Sequence, residues 1–256
     1  MSEHCLLCHE LVAVYWPGFV KCRSCKLVHR SPMPTPTDLA ELYGHGWMNP
    51  SDHKAETGGT DLDLARIYAR KLAASLGRRN FQGQSLLDFG AGTGAALLAL
   101  AELGAQVSAV EPFGYGHLKS MGVDVYRDLN DLPTAASFDG IVTLDVIEHL
   151  TAPWETFARL RNLLEPNGWI LIATPNPDGL NARVFRSGWR EGKKAGHLMF
   201  FNSLSLARLL GDCGYGNCRR LHWKFAYSPG RLRAVRDYVI QFLHLDGELR
   251  YLAHKG

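Results

Sequence analysis

Four cysteines stand in the first 25 residues as two C-x-x-C pairs, Cys5-Leu6-Leu7-Cys8 and Cys22-Arg23-Ser24-Cys25. At that spacing each pair forms a tight knuckle whose thiolates meet at one point, and two knuckles supply the four sulfurs of a tetrahedral zinc site. Between them, Val12 to Trp16 and then Gly18 to Val20 read as a short hairpin that brings the knuckles together. With all four ligands supplied by protein, the ion has no open position, so its task is to fold a segment too small for its own core. Structural zinc on Cys5, Cys8, Cys22 and Cys25 is the expectation. Disulfides are disfavoured in a chain without an export signal, and a redox pair would need a βαβ context. Cys213 and Cys218 read as small buried apolar groups.

The second constellation is a glycine turn. Ser85-Leu86-Leu87-Asp88-Phe89 has the pattern of a buried strand, Gly90-Ala91-Gly92-Thr93-Gly94 breaks it, and Ala95 to Leu103 continues as a helix. Glycines there let the backbone approach a ligand lying across the strand end, where the helix start offers free N–H groups. Farther on, the strand Val107 to Val110 ends in Glu111, placed to accept hydrogen bonds from two ribose hydroxyls. A nucleoside-bearing cofactor is implied. The glycines also satisfy a dinucleotide fingerprint, so a nicotinamide-dependent oxidoreductase stays open. Asp88 favours S-adenosylmethionine, because a carboxylate suits a cationic amino-acid head better than a pyrophosphate. The chain also offers no second large domain for hydride chemistry.

Taken together, five segments resemble the class I S-adenosylmethionine-dependent methyltransferases, in particular the ubiquinone-type O-methyltransferase and zinc-knuckle sugar C-methyltransferase branch. They are Leu86 to Gly94, Val110-Glu111-Pro112, Phe138 to Leu150 with its Asp145-Val146-Ile147-Glu148-His149 run, Leu163 to Gly168, and Ile172 to Asn176. The resemblance covers about residues 84–216 in the family's order. It implies an α/β fold: a Rossmann-like, seven-stranded, mostly parallel sheet with helices on both faces and an antiparallel last strand, to which the small N-terminal zinc ribbon is added. It also implies that Asp88, Gly90, Ala91, Gly92, Thr93 and Gly94 face the methionine part of the donor. Glu111 and Pro112 then belong to the ribose, Asp128 and Leu129 to the adenine, and Leu144 and Asp145 to the sulfonium. Asp131 rivals Asp128 in the same loop.

Methyl transfer from a sulfonium is an in-line displacement, which needs the acceptor atom held near the methyl carbon, water excluded and, for some acceptors, a proton removed. Asp145, Glu148 and His149 follow a strand's carboxyl end, where α/β sheets bind ligands, and His149 is the first base candidate. His197, in Gly196-His197-Leu198-Met199-Phe200-Phe201, is the second. Their alternative role is to brace the local structure. Arg183, Arg186, Arg190, Lys193 and Lys194, interleaved with Phe185 and Trp189, suit an acidic acceptor gripped by guanidinium forks.

The elements that must carry these groups follow from 256 residues, 46% hydrophobic and 21% charged, enough for one α/β domain with an appendage. Residues 1–36 read as the zinc-ribbon segment and a proline-rich linker, and 37–256 as the methyltransferase domain. Within the latter, Thr37 or Asp38 caps a short helix, 44–60 is a long loop, and 60–80 holds a helix. An acceptor-side loop spans 178–200, and 229–256 reads as a helical tail with Leu232, Val235, Tyr238, Val239, Phe242 and Leu243 at helical spacing. Charge is uneven: residues 88–165 carry 4 basic and 11 acidic groups, residues 166–256 carry 14 and 6. The basic last third fits an anionic partner. No stretch is apolar enough to span a membrane, and Met1 to Glu10 lacks a secretory start, so a cytoplasmic address and a monomer or homodimer are expected. The expected activity is methyl transfer to a small acidic acceptor, O-methylation favoured and C- or N-methylation open. An RNA-directed methyltransferase is disfavoured, because no Asn-Pro-Pro-aromatic turn follows the fourth strand. A non-catalytic zinc and partner-binding module is the remaining alternative.

Overall fold

The computed structural model describes residues 4–44, 61–223, 239, 240, 243 and 245–256. The expected 44–60 loop beyond Gly44, and most of the amphipathic stretch of the tail, lie outside these residues. Seven strands form the main sheet in the order β10-β11-β8-β7-β4-β5-β6. Their ranges are β4 Ser85–Phe89, β5 Gln106–Val110, β6 Asp124–Tyr126, β7 Phe138–Leu144, β8 Leu164–Pro175, β10 Tyr215–Arg220 and β11 Glu248–Lys255. The five strands from β8 to β6 run parallel, and β11 is antiparallel to both of its neighbours.

Central parallel strands are covered on both faces and so read as continuous apolar runs. Successive side chains then part to opposite faces. Leu86, Val142, Leu171 and Leu252 face α2 (Asp61–Ser75) and α3 (Ala95–Glu102) together with Leu72, Phe81 and Leu100. Leu87, Ile141, Ile170, Ile172 and Tyr251 face α5 (Pro153–Asn162) and α8 (Ser203–Asp212) together with Phe157, Leu160, Leu206 and Leu209. Helix α8 starts at Asn202, whose side chain accepts from Ser205 N–H while the Ser205 hydroxyl oxygen accepts from Asn202 N–H, both at 2.9 Å.

Residues 248–255 correct the expectation of a helical tail. They form β11, and Leu249, Leu252 and Ala253 are fully buried because both strand faces are covered. A strand wrapped on both sides loses the alternation that would have announced it. The first helix, α1 (Pro36–Gly44), also begins earlier than expected: Thr35 and Asp38 cap it reciprocally, with Asp38 N–H donating to the Thr35 hydroxyl at 3.2 Å.

The N-terminal segment forms a second sheet, β1 (Val12–Trp16), β2 (Phe19–Cys22) and β3 (Val28–Arg30), and the order continues into β9 (Met199–Phe200). The cysteine-bearing segment and the polypeptide after β8 therefore share one ladder, with Val28 opposite Phe200 and His29 opposite Met199. Trp16, Phe19, Trp189 and Phe200 pack as an aromatic cluster behind it, with ring centroids 5.8 Å apart for Trp16 and Trp189 and 4.9 Å for Trp189 and Phe200.

Candidate active site

The carboxyl ends of β4, β5 and β7 meet at the glycine turn, where Gly90 hydrogen-bonds to Val110 and lies against Val146. Gly90, Gly92 and Gly94 have φ of 82°, 55° and 83°, a region that side-chain-bearing residues rarely enter. The Gly90 N–H donates to the Val110 carbonyl at 2.8 Å, fixing the turn to β5. Glu111 is buried and accepts from Gly92 N–H at 2.8 Å, Phe113 N–H at 2.7 Å and Gly114 N–H at 2.9 Å. Asp88 is buried and its Oδ2 has no hydrogen-bond partner. Burial, reinforced by the Glu111 charge, pushes the Asp88 carboxyl up to about 7.

These features fit the cofactor implied by the sequence. An orphaned buried carboxylate oxygen invites a cationic amino group. A Cβ placed on Gly92 would meet nothing within 4 Å, so the space over the turn is open. Glu111 holds its own loop with three of its roughly four acceptor positions and keeps about one, on Oε2, for a hydroxyl donor. Asp128 and Asp131 share one reciprocal cap around the short turn Leu129–Asp131, Asp128 accepting from Asn130 N–H at 2.8 Å and Asp131 from Asp128 N–H at 3.1 Å. Both members of that rival pair take part in holding the turn, and Asp128 remains exposed beside Leu129.

Beyond β7, Leu144 is half-buried and Asp145 takes φ of 54°. The short 3-10 turn Ile147–His149 then buries Glu148 completely. Glu148 Oε2 accepts from the Thr174 hydroxyl at 2.9 Å, its main-chain oxygen accepts from Leu198 N–H at 2.7 Å, and Oε1 has no partner. Burial, with Asp145 adding repulsion, holds its carboxyl well above the ordinary range. His149 lies 4.6 Å from His197, ring centre to ring centre and edge to face. The His149 Nδ1 is 2.8 Å from the Gly196 carbonyl oxygen. A carbonyl only accepts, so Nδ1 carries the proton and Nε2 presents a lone pair. Burial depresses His149 to about 4 and lowers His197 further, helped by the positive charges around it.

Two groups of ligating atoms gather among the described residues. The four Sγ atoms of Cys5, Cys8, Cys22 and Cys25 lie within 4.8 Å of one another, with Cys5 to Cys25 at 3.6 Å and Cys8 to Cys22 at 3.4 Å. Those separations approach the edge of roughly 3.8 Å expected for a tetrahedron of Zn–S bonds of about 2.3 Å. Leu7 and Ser24 N–H groups donate to Cys5 and Cys22 sulfur at 3.4 and 3.3 Å, an arrangement that favours thiolates. Glu148, His149 and His197 form the second group, close enough to share one cation.

Of the basic residues after β8, Arg190 and Lys194 are engaged by Glu191, at 3.0 and 2.6 Å. Arg183 and Arg186 instead line a cleft of about 350 Å³ with Tyr15, Trp16 and Ala182, between the first hairpin and α6 (Leu180–Phe185). Neither guanidinium has an acidic partner among the described residues. Trp189 is buried in the aromatic cluster, whereas Phe185 is exposed. Sequence reasoning missed Thr174, although its Thr-Pro-Asn segment was in view. It also missed the ribbon's share in this cleft.

A methyltransferase-domain family pattern matches residues 61–218. A ubiquinone biosynthesis O-methyltransferase of Cereibacter sphaeroides (strain ATCC 17029 / ATH 2.4.9) is 31% identical over 138 residues, 49% of this chain and 55% of that protein. The chain spans about half the length of the curated relatives it matches. A SAM-dependent methyltransferase from Archaeoglobus fulgidus superposes with a TM-score of 0.59 at 18% identity, over 81% of this chain and 100% of that one. The magnesium protoporphyrin IX methyltransferase from Synechocystis PCC 6803, with bound SAH, gives 0.57 at 15% identity, over 86% and 100%. The chain belongs to the methyltransferase-domain family and has the class I S-adenosylmethionine-dependent methyltransferase fold. None of the described helices is long and apolar enough to cross a membrane.

Proposed function

We propose that the protein moves the methyl group of S-adenosylmethionine to a hydroxyl of a small anionic acceptor. The observation that carries this reading is the juxtaposition of the buried Asp88 and Glu111 carboxylates, across the glycine turn, with the His149–His197 pair beyond the neighbouring strands. When bound, the donor supplies an electrophilic methyl on a sulfonium. Asp88 and residues 90–94 hold its amino-acid end, Glu111 with Pro112 its ribose, and Asp128 with Leu129 its adenine. Leu144 and Asp145 border the reacting centre.

His149 accepts the acceptor's proton at Nε2, since the Gly196 carbonyl commits Nδ1 to its own hydrogen. A base depressed to about 4 is weak. It therefore matches an acidic hydroxyl of the phenolic kind better than an alcohol, because proton transfer needs matched pKa values. His197 and Glu148 brace that imidazole. The O-methylation preference draws further support from relatives named as ubiquinone biosynthesis O-methyltransferases. For the acceptor's charge the support is the cleft lined by Arg183 and Arg186, whose two guanidiniums suit a carboxylate or phosphate. The four cysteines hold structural zinc in this reading.

Calorimetric titration with S-adenosylmethionine and, separately, with NAD tests the donor; heat with NAD alone overturns the reading. Isotope-labelled donor incubated with cell extract, followed by mass detection, identifies the acceptor. With that acceptor, Arg183→Ala and Arg186→Ala should raise KM at least about tenfold while the donor Kd stays unchanged, since a charge-assisted pair is worth roughly 1.5–3 kcal/mol. An unchanged KM in the double variant removes the cleft from the acceptor site.

A further inference from the structure

The ribbon reaches the His149–His197 pair through one side chain. Arg30, at the end of β3, donates from Nε to the His197 carbonyl at 2.9 Å and from Nη2 to the Lys194 carbonyl at 3.0 Å. Its own N–H donates to the Leu198 carbonyl at 2.9 Å. Lys194 and His197 are the two ends of a tight turn, closed by His197 N–H donating to the Lys194 carbonyl at 3.1 Å. Within that turn sits Gly196, whose carbonyl receives the His149 Nδ1 proton. The guanidinium itself is half-buried over the Phe19 ring, 4.8 Å from its centroid, so its fork is held from behind.

We infer that Arg30 is a positioning residue for the base. By clamping the carbonyls at both ends of the Lys194–His197 turn, it aims the Gly196 oxygen at His149 and fixes the tautomer with the proton on Nδ1 and none on Nε2. A planar fork can grip two carbonyls at set angles, whereas an ammonium is a point donor. The four-cysteine segment thereby becomes one wall of the reaction site, 167 residues away in sequence from the histidine turn it holds. This rests on His149 acting as proposed above, but the arrangement can be tested without turnover.

The test is nitrogen-15 imidazole NMR on the zinc-loaded full chain, without added acceptor. In the wild type, His149 should show a single Nδ1–H tautomer. In Arg30→Ala the two ring-nitrogen signals should move toward each other as the Nδ1–H population falls, and in Arg30→Lys they should take an intermediate position. The donor Kd should stay within about twofold throughout. Arg161→Ala is the control, because Arg161 clamps the Gly214 and Gly256 carbonyls in the same manner, both at 2.8 Å, far from this turn. It should leave the His149 signals unmoved. If Arg30→Ala fails to fold, Arg30→Lys decides alone. The inference is overturned if the arginine variants keep the native signals, or if Arg161→Ala disturbs them equally. Absence of donor binding in the wild type would instead strike the methyltransferase reading and leave the tautomer result standing.

Discussion

Asp88 is a carboxylic acid held where charge is costly, and its pH behaviour follows in sign. Its folded pKa of about 7 lies above the ordinary unfolded value near 3.9. Its contribution to stability is thus fully present below about pH 4 and lost as pH climbs through about 7. A bound amino group reverses that preference by favouring the ionised form. Donor affinity should therefore tighten by up to about tenfold per pH unit between about pH 5 and 7 and then level off. In Asp88→Asn the affinity should be weak and flat, as calorimetry across that range will read. The glycines separate in the same way. Gly90→Ala puts a methyl 2.3 Å from Val146 Cγ2 at a positive φ and should cost roughly 1–3 kcal/mol in a thermal melt. Gly92→Ala meets no neighbour, so its cost should stay near 1 kcal/mol while donor binding falls at least tenfold. The glycine turn, its acidic partners and the two cysteine knuckles were legible in the sequence because their chemistry depends on near neighbours. Arg30 was not, because nothing local distinguishes it from other surface arginines.

At the scale of elements, the cysteine-bearing segment is joined to the segment after His197 by a ladder as well as by aromatic packing. Metal analysis of the purified protein should find one zinc per chain, and Cys8→Ser should reduce it. Because β3 pairs directly with β9, that variant should also speed amide exchange at Leu198–Phe200. The α2, α3 and main-sheet amides, together with donor affinity, should change little. Uniform acceleration across both sheets would show that the cysteine segment supports the whole fold. Helix α3 was legible from the glycines that precede it, and β4 and β5 from the breaks around them. The β3–β9 pairing was not, since a two-residue strand carries no period and its partner lies far along the chain.

At the scale of the molecule, the mostly parallel sheet was expected from the resemblance that five short segments carry to class I methyltransferases, and the structure has it. The place of β11 was hidden: Glu248–Lys255 fills the position between β8 and β10. Deleting residues 248–256 should leave little soluble protein, as a solubility assay on the truncated chain will show, whereas His254→Ala, at the partly exposed end of the strand, should remain soluble. Seven successive residue pairs, from Glu248 opposite Pro175 to His254 opposite Trp169, close only when this segment docks. During translation, then, β8 waits with one flank unzipped until Glu248–Lys255, far downstream of it in the chain, has left the ribosome. That interval, rather than any weakness of the finished protein, is when a neighbouring nascent chain could take the vacant place.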